Sequence, residues 1–298
     1  MNANSWTDSF LEYLKSERNY SVCTIESYAH SLSEFQIFFD SLGERLTWAT
    51  IDASVVREWI VYMLDEQHLS SGSVNVHLSA LRSFYKYLRM MSLVQVNPMV
   101  KITGPKRKKP LPSFVREGEM DRLLEIMNED RSFGGVRDRL IVMMFYETGI
   151  RRAELLSLTD TDISLSSKQI KVLGKRNKQR IIPFGQELED EIKAYLDLRK
   201  SVTDMTPDKF FVLDSGLPIT DAYVGKVVNE KLSLVTTQKK KSPHVLRHSF
   251  ATAMLNNDAD LGSIQKLLGH QSLATTEVYT HLSFEELKDV YRNSHPRK

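Results

Sequence analysis

The sequence is short of several things that would place it elsewhere. A single cysteine, Cys23, stands among 298 residues, so no disulfide framework is available. No CxxC or Cys/His spacing suggests a metal site. No stretch approaches the roughly 18 consecutive apolar residues of a membrane span. The opening MNANSWTDSF also lacks the basic region and apolar run of an export signal. Charge of one sign is scarce too: 40 Lys and Arg against 38 Asp and Glu leave a net charge of +2. These absences predict a soluble, cytoplasmic chain in a reducing compartment with no membrane partner. The net charge alone argues weakly against nucleic acid.

What is present is unevenly placed. Residues 1–100 hold 7 Lys/Arg against 11 Asp/Glu, whereas residues 101–110 hold 5 against none. That basic decade opens KITGPKRKKPLPSF, which also carries three prolines and a glycine. Proline stiffens such a segment and denies it helix, so residues 101–112 read as a linker between a domain over 1–100 and another over 113–298. Its Lys106, Arg107 and Lys108 fit either a solvated hinge or a strap on a phosphate backbone.

The first domain is patterned for helices throughout. Trp6, Phe10, Leu11 and Leu14 share one face; Ile25, Tyr28, Leu32 and Phe35 a second; Val55, Val56, Trp59, Ile60 and Met63 a third. A fourth helix carries Val74, Leu78, Leu81, Phe84, Tyr85 and Leu88. Opposite that last face, Arg82, Lys86 and Arg89 form a basic stripe in an otherwise acidic domain, either a solvated face or one that meets DNA.

Beyond Ser113 the pattern mixes helix and strand. Helices are predicted over 119–127 and 136–147, the second around the buried-looking run LIVMMFY. In IKVLGKRNKQRIIPF, Ile170 and Val172 before a tight turn and Ile181 after it read as two short antiparallel strands. Three stretches carry chemistry. In ETGIRRAELLSL, Gly149 ends a helix and Arg151 begins the next, beside helix N–H groups suited to an anion; a plain pairing with Glu154 is the bland alternative. In GKRNKQR, Lys175 sits at a turn tip beside Arg176, Lys178 and Arg180, either solvated or placed to deliver a proton or charge to a phosphate ester. In SPHVLRHSFATAML, Ser242 is the expected N-cap and Pro243 the first helical residue, so His244 and Arg247 share a face at a helix N-terminus. The next helix ends at Gly269, with His270 just past it and Tyr279 following.

Each of these residues alone has an ordinary structural use. In order, however, TGIRRAEL, GKRNKQR, HVLRHSFAT and LGHQSLATTEVYTH resemble the signature boxes of the tyrosine recombinases, the phage-integrase superfamily. The closing SFEELKDVYRNSHPR resembles the tail of Xer-type members. The resemblance implies a two-domain, mainly α fold: a four-helix SAM-like core-binding domain, then an α+β catalytic domain, mostly helical with a small antiparallel sheet. It places the active site on Arg151, Lys175, His244, Arg247, His270 and Tyr279. Arg176 stands where relatives often carry glycine, and Arg152 where a small or apolar residue is common.

The implied enzyme cleaves and rejoins double-stranded DNA at a specific site. A Tyr279 phenolate attacks a phosphodiester to give a 3′-phosphotyrosyl link, and a Holliday junction follows. Arg151, Arg247 and His270 would hold the phosphate, and Lys175 would protonate the leaving oxygen. His244 would either assist the tyrosine or grip the phosphate. No cofactor or metal is implied. The partners implied are the recombination site, a synaptic homotetramer or a heterotetramer with a paralogue, and a DNA-translocase activator. A tail helix over 283–292, with Phe284, Leu287 and Tyr291 on one face, is expected to dock on a neighbouring subunit. Cutting the chain after His281 should then leave the monomer's folding intact. The expected role is resolution of chromosome or plasmid multimers. The alternatives are an integrase or invertase of a mobile element or phase-variable locus, a topoisomerase sharing the chemistry, and a DNA-binding protein that does not cut.

Overall fold

The computed structural model describes residues 3–43, 46–106, 113–174, 179–202, 208–269 and 290–296. The chain divides into two compact units, Met1–Pro110 and Leu111–Lys298.

The first unit is helical: α1 (Ala3–Ser16), α2 (Val22–Ser41), α3 (Ala53–Asp65) and α4 (Ser71–Met90), then a 3-10 turn at Pro98–Lys101. Helix starts follow local chemistry. The Asp52 carboxylate accepts from the Ser54 and Val55 amides before α3, and the Ser70 hydroxyl accepts from the Ser73 amide before α4. The expected faces converge on one core, in which Phe10, Phe35, Trp59 and Phe84 are fully buried. Trp48, in the connection before α3, joins them. Its ring packs edge-on against Phe84 and Phe39, and its carbonyl accepts from the Tyr85 hydroxyl at 3.1 Å.

The second unit contains α5 (Glu117–Met127), α6 (Phe133–Thr148), α7 (Arg152–Ser157), the strands β1 (Ile163–Ser164), β2 (Gln169–Leu173) and β3 (Gln179–Pro183), then α8 (Gln186–Arg199), α9 (Asp221–Ser233), α10 (Pro243–Asn256) and α11 (Leu261–Leu268). The run Leu140–Tyr146 in α6 is apolar on all sides because the helix is buried on all sides, with α8 and α10 packed against it. The antiparallel sheet has the order β1-β2-β3. Its register sets Ile170 opposite Ile182 and Val172 opposite Arg180. Ile181 lies in β3 as expected, but the inward residue of that strand is Ile182, fully buried, whereas Ile181 is 38% exposed. Strand side chains alternate, so the same register turns Arg180 toward the interior.

A mainly helical chain with one small antiparallel sheet is what the sequence predicted. Among the described residues no helix is long and apolar enough to cross a membrane.

Candidate active site

Two helix ends build the site. α6 stops at Gly149 and α11 at Gly269, both in the left-handed region, at φ +58° and +63°. A helix C-terminus leaves carbonyls without intrahelical partners and carries partial negative charge. Here three arginines take three consecutive carbonyls. Nε of Arg180, on β3, donates to Leu267 at 2.8 Å; Nη2 of Arg247, on α10, to Leu268 at 2.6 Å; Nη2 of Arg151, at the start of α7, to Gly269 at 2.7 Å. The other terminal nitrogen of Arg247 reaches the Gly149 carbonyl, so one side chain ties the ends of α6 and α11 together.

One carboxylate sits among these cations. Glu154 accepts from Arg151 Nη1 at 2.8 Å and, with both oxygens, from Arg180 Nη1 and Nη2 at 2.6 and 2.8 Å. It also accepts the Arg151 backbone N–H at 2.8 Å, which occupies one of the amides that the sequence left open to an anion. The Glu154 side chain is only 5% exposed. Burial pushes its carboxyl up, but the Arg180 and Arg151 bonds outweigh this and hold it below the ordinary value. Burial, with Arg151 and Arg180 nearby, lowers Arg247 to about 10, which leaves it a cation at neutral pH.

Arg151 is the least enclosed of the group, its side chain 33% exposed, against 13% for Arg180. Three guanidiniums around one carboxylate leave a net positive charge at a partly open surface. That arrangement suits a bound phosphate.

His244 lies in the first turn of α10 behind Pro243, exposed, whereas Arg247 is buried. Ser242 occupies the N-cap position but its side chain makes no capping bond. Partial desolvation, with Arg152, His248 and Arg247 close by, holds the His244 imidazole below its ordinary pKa. Arg152 pairs with Asp221 on α9 at 2.6 Å, which accounts for a charge at this position. Lys175, His270 and Tyr279 lie outside the described residues, as do Arg107 and Lys108. Lys106 is exposed.

On α4, Lys86 and Arg89 are exposed, while Arg82 is half-buried. Arg82 donates to the Ile102 carbonyl at 3.1 Å and Arg89 to that of Gln95, so both also brace the segment that follows the helix. At the other end of the chain, Tyr291 and His295 are buried in the catalytic unit itself, where they stack with ring centroids 4.7 Å apart. The expected docking face is thus inward at Tyr291, and Phe284 and Leu287 lie outside the described residues.

From spacing alone Glu154 is only a plain partner of Arg151, and Arg180 only one charge near a turn. The strand alternation carried a usable signal, since Arg180 shares a face with Ile182.

Comparison with known proteins bears on the whole chain. The model of the phage integrase family matches residues 113–286, and that of the phage integrase N-terminal SAM-like domain matches residues 7–90. Tyrosine recombinase XerC of Staphylococcus aureus (strain USA300 / TCH1516) is 38% identical over 294 residues, 99% of this chain and 97% of that protein. The XerC of Staphylococcus carnosus (strain TM300) is 39% identical over 294 residues, 99% of this chain and 98% of that protein. The solved pre-cleavage complex of the XerH site-specific recombinase with its difH substrate matches at 25% identity and a TM-score of 0.69, covering 95% of this chain and 83% of that one.

Proposed function

The chain belongs to the phage integrase family of tyrosine recombinases, and from that premise we propose that it resolves chromosome or plasmid multimers by cutting and rejoining DNA at one fixed site. It is a site-specific tyrosine recombinase. The observation that carries the assignment of its active site is the convergence of Arg151 and Arg247 on adjacent carbonyls at the end of α11.

In the proposed reaction the Tyr279 oxygen attacks the scissile phosphorus. The P–O5′ bond breaks, Lys175 gives its proton to the leaving 5′-oxygen, and the phosphate becomes a 3′-phosphotyrosyl ester. Arg151 and Arg247 hold the non-bridging oxygens as charge builds, and His270 adds a hydrogen bond. His244 takes the tyrosine proton or steadies the phosphate. A 5′-hydroxyl from the second duplex then attacks the ester and frees the tyrosine, so the bond is conserved throughout and the first exchange leaves a Holliday junction. Two duplexes require a tetramer, of one chain or of this chain with a paralogue, acting in the cytoplasm under control of a DNA translocase. Lys86, Arg89 and Lys106, which are exposed, would contact the DNA backbone, and the sequence adds Arg82, Arg107 and Lys108 to that set.

The test is covalent trapping. Wild type and Tyr279→Phe are incubated with sheared host genomic DNA and denatured, and protein-linked fragments are sequenced. Adducts at a single chromosomal or plasmid site, lost in the variant, are expected. Adducts at the ends of a mobile element or at inverted repeats would replace the resolution role with integration or inversion.

A further inference from the structure

We propose that Arg180 is a positioning residue of this active site. It offsets the charge of Glu154 and fixes the last turn of α11, so that Arg151 meets the phosphate as a full cation. The proposal rests on the recombinase reading above and assigns a role to a residue outside the six expected ones.

The geometry gives Arg180 no other use. Each of its three nitrogens donates to the protein: Nε to the Leu267 carbonyl, Nη1 and Nη2 to the two oxygens of Glu154. With its side chain 13% exposed and turned inward by the β2–β3 register, it is poorly placed to grip a DNA phosphate itself. Its effect must pass through its partners.

Those partners face the proposed chemistry directly. Glu154 also binds Arg151, through one side-chain bond and one backbone N–H. Were Arg180 absent, Arg151 and Glu154 would form a neutral pair, and a buried carboxylate would stand beside a phosphate that gains negative charge in the transition state. With Arg180 present, the trio carries one net positive charge. The Leu267 bond adds a positional effect. Leu267, Leu268 and Gly269 are held in turn by Arg180, Arg247 and Arg151, so Arg180 anchors the first of three carbonyls whose placement sets where the two phosphate-binding arginines point. Lysine would keep the charge but is a point donor, unable to span both Glu154 oxygens and the Leu267 carbonyl together.

The decisive comparison removes the charge that Arg180 offsets. Full-length wild type, Arg180→Ala, Arg180→Lys and the double variant Glu154→Gln/Arg180→Ala are tested on nicked suicide duplexes built from the DNA segments that wild type traps. Thermal melting checks folding, gel shift gives DNA affinity, and single-turnover adduct formation at saturating DNA gives the rate. Arg180→Ala should slow adduct formation by about 100-fold or more while DNA affinity changes less than about threefold, as expected for a transition-state effect. Arg180→Lys should fall between. The double variant should regain at least about tenfold over Arg180→Ala in the rate of the folded enzyme at saturating DNA, beyond what any recovery of its melting temperature accounts for.

An Arg180→Ala rate within about threefold of wild type would overturn the proposal. So would a folded double variant no faster than Arg180→Ala. If the alanine variant fails to fold, Arg180→Gln, which also removes the cation, carries the same comparison with and without Glu154→Gln. Wild type that forms no adduct with any DNA defeats the recombinase reading itself, whereas adducts unaffected by Arg180 substitution defeat only this inference.

Discussion

Phe250 packs so close to the α-carbon of Gly149 that a Cβ there would stand 2.7 Å from its ring Cδ1, and the same distance from Cδ2 of Leu268. The residue also sits at φ +58°, a conformation that favours glycine. Local strain and packing thus exclude a side chain at the turn whose carbonyl receives Arg247.

Gly149→Ala should therefore lose about 2–4 kcal/mol, from the left-handed backbone and the crowding together. In a unit of this size that lowers the melting temperature by roughly 5–15 °C. Adduct formation should fall further than stability accounts for, because the acceptor of Arg247 moves. A melt within about 2 °C of wild type would show that α10 and α11 relax around the new methyl.

His244 predicts an acid limb. Partial desolvation, with Arg152, His248 and Arg247 close by, holds its pKa below 6.5, so between the lowered value and 6.5 the folded chain binds fewer protons there than the unfolded chain does. The stability it contributes is complete above about pH 6.5 and is lost as pH falls through the lowered value. If His244 takes the tyrosine proton, adduct formation should follow the neutral imidazole and drop with a midpoint below the ordinary histidine value, and His244→Gln should flatten that limb. An unchanged acid limb in the variant would assign the titration to another group.

Tyr223 bridges two charges in the catalytic unit. Its hydroxyl donates to Asp138 Oδ1 at 2.6 Å and accepts from Arg137, whose guanidinium also lies over the Tyr223 ring. Tyr223→Phe keeps the ring and removes both bonds, which should destabilise by about 1–3 kcal/mol, read as a lower urea midpoint at unchanged slope. A midpoint equal to wild type would mean that the direct Arg137–Asp138 ion pair, at 3.4 Å, holds the site without the hydroxyl.

The parts that were legible in the sequence are those set by local spacing. Phe10, Phe35, Trp59 and Phe84 each belong to a run of apolar residues at helical intervals, and all four fill the first core. Trp48 follows no period because it lies in a connection, yet it is equally buried. The two-residue strand β1 is too short to show alternation. The Arg180–Glu154 fork spans 26 residues and the Arg180–Leu267 bond 87, distances that only the tertiary fold closes. Backbone carbonyls moreover carry no sequence signature. The signature boxes thus marked Arg151 and Arg247, but not what those side chains rest on.

The end of the chain yields the last prediction. Tyr291 and His295 are each 1% exposed, and His295 also lies 5.6 Å from the Phe250 ring. Tyr291 belongs to the same apolar cluster as Phe250, Met254, Leu267 and Leu268, the cluster under the α10–α11 corner that carries Arg247 and the three bound carbonyls. A chain cut after His281 was expected to fold like the full chain. Instead it would lose the buried Tyr291 ring, worth about 1.5–3 kcal/mol by transfer of its apolar surface, together with the stacked His295, and should melt roughly 5–10 °C lower even when dilute and monomeric. Tyr291→Ala should show a smaller loss in the same direction. If the truncated chain melts like the full one at all concentrations, Tyr291 contributes nothing to its own domain, and the tail face is free to serve a neighbouring subunit.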